Sequence, residues 1–368
     1  MITTAGTTEA LYRPDPIEAS TDIRDIDRKS DWNKSAPALA AGERLLVTDL
    51  YSTGLNTLQA LRRHLLAQHT DEPDYSHSRA FRTIYREASQ NLLAPVAAHR
   101  LALDKAPEIG WFPELYGDVT DFLLPFPQIQ GLNSAWQWYQ KGIEIPPLNR
   151  RLHPFYGTYF PTRFPHLELL DTWLKVYGGP RQLALDVGTG CGVLALQMLQ
   201  SGFDRVQATD NNPNAIESVR REISRKAPRG QLETAVMDLF GPDEDPDPPD
   251  SDQPELILFN PPWILGTPHS PIDAAIYYEA PLFERFFAGA HRRVQPAGHV
   301  VVLFSNLQEA ADPSIQHPVQ HELAEGGRFT LVSRQRQAVH ASSDKTTRRK
   351  RDTSSEYVEL WNLTPVTA

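Results

Sequence analysis

Leu183-Ala184-Leu185-Asp186-Val187-Gly188-Thr189-Gly190-Cys191-Gly192 is the stretch whose reading decides the fold. An apolar run ends in an acid and breaks into three alternating glycines, and helical spacing over 193–200 follows at once. Further apolar runs end at Asp210, at Asp238-Leu239 and at Asn260-Pro261-Pro262-Trp263. Four strand-like runs, each delivering polar residues at its C-terminal end, predict parallel strands with a ligand across their tips. Glycines at 188, 190 and 192 let the backbone turn sharply and let that ligand approach. A dinucleotide loop spaces its glycines Gly-x-Gly-x-x-Gly and rests a pyrophosphate on the helix N-terminus. Here the spacing is Gly-x-Gly-x-Gly with Asp186 just upstream. A carboxylate there disfavours an anion and suits a cationic or amine-bearing ligand. Asp210, ending the next strand, is placed to accept hydrogen bonds from ribose hydroxyls.

Over about 155 to 363 these residues resemble the class I, Rossmann-like methyltransferases that use S-adenosylmethionine. The resemblance implies an α/β fold with a seven-stranded sheet, its last strand antiparallel, and S-adenosylmethionine as cofactor. In that family the glycine loop holds the methionine part, the acid ending the second strand holds the ribose, and an acid after the third contacts the adenine amino group. The cofactor contacts so implied are Asp186, Gly188, Thr189, Gly190, Gly192, Asp210, Asn211, Asp238, Leu239 and Asn260.

Asn260-Pro261-Pro262-Trp263 narrows the chemistry. A planar NH2 group is a poor nucleophile because its lone pair is delocalised. Two acceptors on its hydrogens, the Asn260 side-chain oxygen and a proline carbonyl, would orient it and favour pyramidalisation. The ring of Trp263 can stack on the planar group and favour the positive charge arriving on nitrogen. The tetrapeptide is similar to the Asn-Pro-Pro-aromatic motif of methyltransferases acting on amide or exocyclic nitrogens, which makes Asn260, Pro261, Pro262 and Trp263 the candidate catalytic residues. Upstream, Phe160-Pro161-Thr162-Arg163-Phe164-Pro165-His166-Leu167-Glu168 is similar to the Pro-Arg-Pro-x-Thr-Glu-x-Leu segment of release-factor glutamine methyltransferases. Asp238-Leu239-Phe240 and a helical N-terminal region strengthen that likeness. Thr162 splits the Pro-Arg pair, Trp263 replaces a Tyr, and 111–150 has no counterpart. Thr162 and Arg163 are carried as possible cofactor or substrate contacts.

Around this core the sequence predicts three regions. Residues 1–42, rich in Thr, Asp, Pro and Ala, lack an apolar period and read as a disordered leader. Residues 43–150 read as a smaller, mainly helical domain, from the spacing of Leu58, Leu61, Leu65 and of Phe81, Ile84, Tyr85. Its aromatic-dense part, 111–150, yields no element assignment, and Trp136 and Trp138 either line a substrate entrance or pack the two domains together. Residues 151–368 form the methyltransferase domain. In it, Asn212-Pro213 opens a helix, 242–254 is a solvated acidic loop, and 273–279 covers the site. Phe283, Phe286, Phe287 and Ala290 form the core face of a helix opened by Pro281. Strands near 328–334 and 356–363 close the sheet as an antiparallel pair.

Charge and composition bound the partners. A net charge of −10 argues against broad contact with a phosphate backbone, although Lys345, Arg348, Arg349, Lys350 and Arg351 form a local basic run. The lone cysteine, Cys191, excludes an intrachain disulfide framework and fits a cytoplasmic setting. No run is long and apolar enough to cross a bilayer, so no membrane partner is expected. His153, His166, His269, His291 and His340 lack metal-site spacing, so no metal is expected. His166, beside the predicted site, serves either as a ligand contact or as a structural hydrogen-bonding group. The leading expectation is an N-methyltransferase acting on an amide or amine nitrogen, with a protein glutamine side chain as the favoured acceptor. A base amine of RNA or DNA and a small molecule of specialised metabolism are the alternative acceptors. A binding module without catalysis is the reading from a different class, disfavoured by the intact acids and tetrapeptide.

Overall fold

Seven strands of the C-terminal half form one sheet: β1 Leu183–Val187, β2 Arg205–Asp210, β3 Gln231–Val236, β4 Leu256–Phe259, β5 His299–Ser305, β6 Phe329–Ala338 and β7 Tyr357–Pro365. The computed structural model that shows this describes residues 10–68, 75–242, 252–268, 271–312, 314–339 and 356–367. Strand order is β3-β2-β1-β4-β5-β7-β6, with β7 antiparallel to both neighbours and the others parallel. This is the expected seven-stranded α/β sheet closed by an antiparallel pair. β1 and β4 are buried at every residue, because helices cover both faces of a parallel sheet.

Alternation along the strands separates two cores. Ala184, Leu256, Leu258, Val301 and Leu303 face one side and pack with Leu167, Leu170 and Leu174 of helix α1, Pro165–Val176, and Leu194 of helix α2, Val193–Gln200. Leu185, Val187, Ile257, Phe259 and Val300 face the other. There they meet Phe283, Phe286, Phe287 and Ala290, the expected inward stripe. Between these helices in the chain lies α3, Pro213–Arg225, and the aromatic stripe belongs to α4, Pro281–Arg293. The start of α3 follows the sequence signal: Asn212 Oδ1 accepts the Asn214 N–H at 3.0 Å and Pro213 occupies the first turn.

Register places the site. Val187 pairs with Phe259 on one side and with Thr209 on the other, while Val236 pairs with Asp210. Gly188 and Asn260 therefore leave the sheet side by side, with Asp210 and then Asp238 on the flank. The order reverses between β1 and β4, the switch point where open parallel sheets bind ligands.

The N-terminal half adds short strands to its helices. The chain divides into two compact units, residues 13–140 and a second made of 1–12 with 141–368. The first carries a small sheet beside its helices. Short strands Arg24–Ile26, Leu45–Val47, Leu92–Ala97, Arg100–Leu101 and Phe122–Pro125 form a five-stranded sheet, accompanied by helices Trp32–Ala40, Tyr51–Gln68, Tyr75–Ser89 and Phe126–Lys141. Strand and helix thus occupy part of the 1–42 region read as a leader. Tyr12 is also fixed: its N–H donates to Asn214 Oδ1 at 2.8 Å, and its carbonyl accepts from Asn214 Nδ2 at 2.9 Å. Trp136 packs within its own unit, its ring 5.0 Å from that of Trp111 and 5.7 Å from that of Tyr139. The acidic loop at 243–251 and the basic run 345–351 lie outside the described residues. Among the described residues no helix is long and apolar enough to cross a membrane.

Candidate active site

The glycine loop is held from below by a buried acid. Asp186, the fourth residue of β1, is fully buried, and its Oδ2 accepts from Thr189 Oγ1 at 2.7 Å and from the Ala195 N–H at 3.0 Å. Ala195 lies in the first turn of α2, whose N-cap, Gly192, has no side chain to offer. The carboxylate of Asp186 therefore does the capping from the strand. Burial, with a smaller contribution from the nearby Asp210, raises its pKa to about 7 against the pull of those two hydrogen bonds. Oδ1 of Asp186 has no partner.

Gly188, Gly190 and Gly192 have φ of +71°, +54° and +80°, in the left-handed region. Their reasons differ beyond that shared geometry. A Cβ on Gly190 would lie 3.4 Å from the Tyr159 carbonyl, across the loop's mouth. On Gly192 it would lie 2.9 Å from Val219 Cγ2, so this glycine lets α2 and α3 approach. Asp210 ties the loop to β2: its Oδ2 accepts the Gly190 N–H at 2.8 Å and its Oδ1 the Asn212 N–H at 2.9 Å. Burial raises its pKa, opposed by these two amides. Each oxygen keeps a second lone pair for a ligand hydroxyl.

These elements surround one cavity of about 440 Å³, within the usual range for small-molecule sites. Gly188, Thr189 and Gly190 form one wall, and Asp210, Asn211, Asp238 and Leu239 the next. Asn260, Pro261, Pro262 and Trp263 stand together at the end of β4 on the same cavity. The expected cover is present as well, since residues 274–279 line it and Tyr277-Tyr278 pair with Ile264-Leu265.

Four sequence-predicted residues are not among the walls: Asp186, Gly192, Thr162 and Arg163. The first two act one layer down, on the loop and on helix packing, because the strand that delivers Asp186 buries its side chain under the α2 N-terminus. Pro161, immediately before Thr162, does line the cavity, and so does His166. The His166 ring meets that of Trp263 edge to face, 5.7 Å between centroids and 90° between planes. Burial lowers its pKa to about 4, so the imidazole is neutral. Cys191 is also on the wall, but burial pushes its thiol up to about 12, too high for a nucleophile.

Sequence reading missed Arg285. It lines the cavity from α4, and its Nη2 lies 2.6 Å from Asp238 Oδ2. No pattern in the chain joins residues 47 apart on different elements. Two further polar atoms are buried without partners, Asn260 Oδ1 and Trp263 Nε1. Among the described residues no cluster of His, Cys, Asp and Glu has the makings of a metal site.

A glycine loop over β1, acids at the ends of β2 and β3, and the 3-2-1-4-5-7-6 sheet define a class I, S-adenosylmethionine-dependent methyltransferase domain. Residues 168–333 match the family model described as the methyltransferase small domain. Sequence relatives include a ribosomal protein L11 methyltransferase from Nitrosomonas europaea, 38% identical over 88 residues, or 23% of this chain and 28% of that one. Another with the same description, from Marinobacter nauticus, is 28% identical over 151 residues, 40% of this chain and 42% of that one. The matches thus span less than half the length of these relatives. A solved ribosomal protein L11 methylase from Lactobacillus delbrueckii subsp. bulgaricus superposes with TM-score 0.38 at 16% identity, covering 59% of this chain and 85% of that one; so loose a likeness carries no functional weight.

The walls fit S-adenosylmethionine. Asp210 and Asp238 offer carboxylates to a nucleoside, Met237 and Leu239 offer apolar surface to its base, and Gly188 and Gly190 leave room for an amino-acid tail.

Proposed function

We propose that this protein is an S-adenosylmethionine-dependent N-methyltransferase whose acceptor is a planar amide or amine nitrogen of a protein, a glutamine side chain above others. The observation that carries the reading is Asn260 Oδ1, a buried acceptor without a partner, on the turn that leaves β4 beside Gly188. An orphaned acceptor costs on the order of 1–3 kcal/mol, which an arriving N–H would recover. Trp263 Nε1, three residues on, is a donor in the same condition. A primary carboxamide presents one N–H pair and one carbonyl oxygen, so it complements both orphans, whereas an aliphatic amine complements only the first.

Bound at the glycine loop, the cofactor supplies a methyl group on a cationic sulfur. The chain's own residues then have three tasks. Asp210 and Asp238 hold the nucleoside. Asn260 and the Pro261 carbonyl orient the acceptor nitrogen, while Trp263, its plane steadied by His166, flanks it. Walls 274–279 limit water. Cys191 and His166 have no part as nucleophile or cation. A protein acceptor draws support from the relatives described as ribosomal protein L11 methyltransferases, and one buried cysteine suits the cytoplasm.

The test is transfer of labelled methyl into cell lysate by the purified protein. The account predicts label in a protease-sensitive, nuclease-resistant fraction, with methylglutamine in its hydrolysate. Label sensitive to nuclease would move the acceptor to RNA or DNA, and label in small molecules would remove the macromolecular acceptor.

A further inference from the structure

The cavity's nucleoside end carries an ion pair that cofactor binding in general does not require. Asp238 follows β3 in a tight turn. Its carbonyl accepts the Gly241 N–H at 3.0 Å, and Leu239 within the turn has φ +52°, left-handed for a non-glycine residue. The neighbouring backbone is anchored to β2, because the Met237 N–H donates to the Asp210 carbonyl at 2.8 Å. From the other side, Arg285 extends off α4, a helix fixed in the core by Phe286 and Phe287. Its Nη2 takes Asp238 Oδ2 at 2.6 Å. Oδ1 of Asp238 accepts no hydrogen bond among the described residues. Both side chains are half exposed, and such a pair adds little to stability.

We propose that Arg285 is a positioning residue for base recognition: it clamps one oxygen of Asp238 so that the other is presented to the adenine amino group of the cofactor. An unclamped carboxylate would rotate about its last torsion and meet that N–H only part of the time. A fixed acceptor also discriminates. Hypoxanthine carries a carbonyl oxygen where adenine carries its amino group, so oxygen would face carboxylate with no proton between them. The inference rests on the domain's use of S-adenosylmethionine, and its test reads ligand binding, so the unidentified acceptor does not enter.

Calorimetry on the whole protein would compare S-adenosylhomocysteine with its deaminated counterpart, S-inosylhomocysteine. The wild type should prefer the adenosyl ligand at least about tenfold, the effect of one lost hydrogen bond with an acceptor left unpaired. Arg285→Met, which keeps the apolar stem, should reduce that preference to within about threefold, and Arg285→Lys should restore part of it. On an Asp238→Asn background, Arg285→Met should change the preference no further, since the residue acts through Asp238. A preference unchanged in Arg285→Met, or an equal loss for both ligands, would overturn the role of Arg285 and leave the cofactor assignment standing. Failure of the wild type to bind S-adenosylhomocysteine would remove the cofactor assignment, and this inference with it.

Discussion

Asp186 shows how a motif residue acts at one remove. Its carboxylate caps α2 and holds Thr189, so the loop above keeps its shape, while burial raises the pKa to about 7. The sign of the pH effect follows. A carboxyl whose folded pKa lies above its unfolded value of 3.8 contributes stability fully present below about pH 4 and lost as the pH rises through about 7. Relative to Asp186→Asn, which cannot titrate, the wild type should lose roughly 2.5 kcal/mol between pH 5 and pH 8. Denaturant unfolding of both proteins at the two pH values measures this. A stability difference independent of pH would mean that Asp186 is already charged in the folded protein at pH 5.

Between residues and the whole, elements are held in place by buried polar groups. Glu222 on α3 is buried, with Oε1 accepting from the His153 N–H at 2.8 Å and Arg225 Nη1 at 2.9 Å, and Oε2 from Arg150 Nη2 at 3.1 Å. It ties 150–153 to the helix that starts beside the cavity. Glu222→Ala leaves Arg150, itself largely buried, without its countercharge, and should cost about 3 kcal/mol in denaturant unfolding. A cost below about 1 kcal/mol would show the contact to be solvated.

The same scale explains what the sequence disclosed. β1 and β4 were legible because a strand buried on both faces is an apolar run, and each run ends beside residues that line the cavity. The strands at Arg24–Ile26 and Leu45–Val47 were not: three residues carry no readable alternation. Leu92–Ala97 contains Pro95, which argues against a strand interior, yet it pairs with Leu123 in an antiparallel ladder. Cavity-lining residues adjacent to strand ends could be read from the chain alone. Arg285 could not, because its place depends on α4 docking beside the turn after β3, a tertiary event without a local signal.

At the scale of the molecule, the proposed function gives the two sides of one cavity separate duties: the glycine loop and the acids at the ends of β2 and β3 for the cofactor, and the turn after β4 for the acceptor. Those duties can be separated because Val187 and Phe259 are paired, which fixes Gly188 and Asn260 as neighbours on different strands. The most direct measurement is S-adenosylhomocysteine affinity and labelled-methyl transfer, taken side by side on the wild type and Asn260→Ala. Binding should stay within about threefold of wild type while transfer falls at least about a hundredfold, the size of effect seen when a group acting on the reacting centre is lost. Parallel loss of binding and transfer, or transfer that survives the substitution, would contradict it.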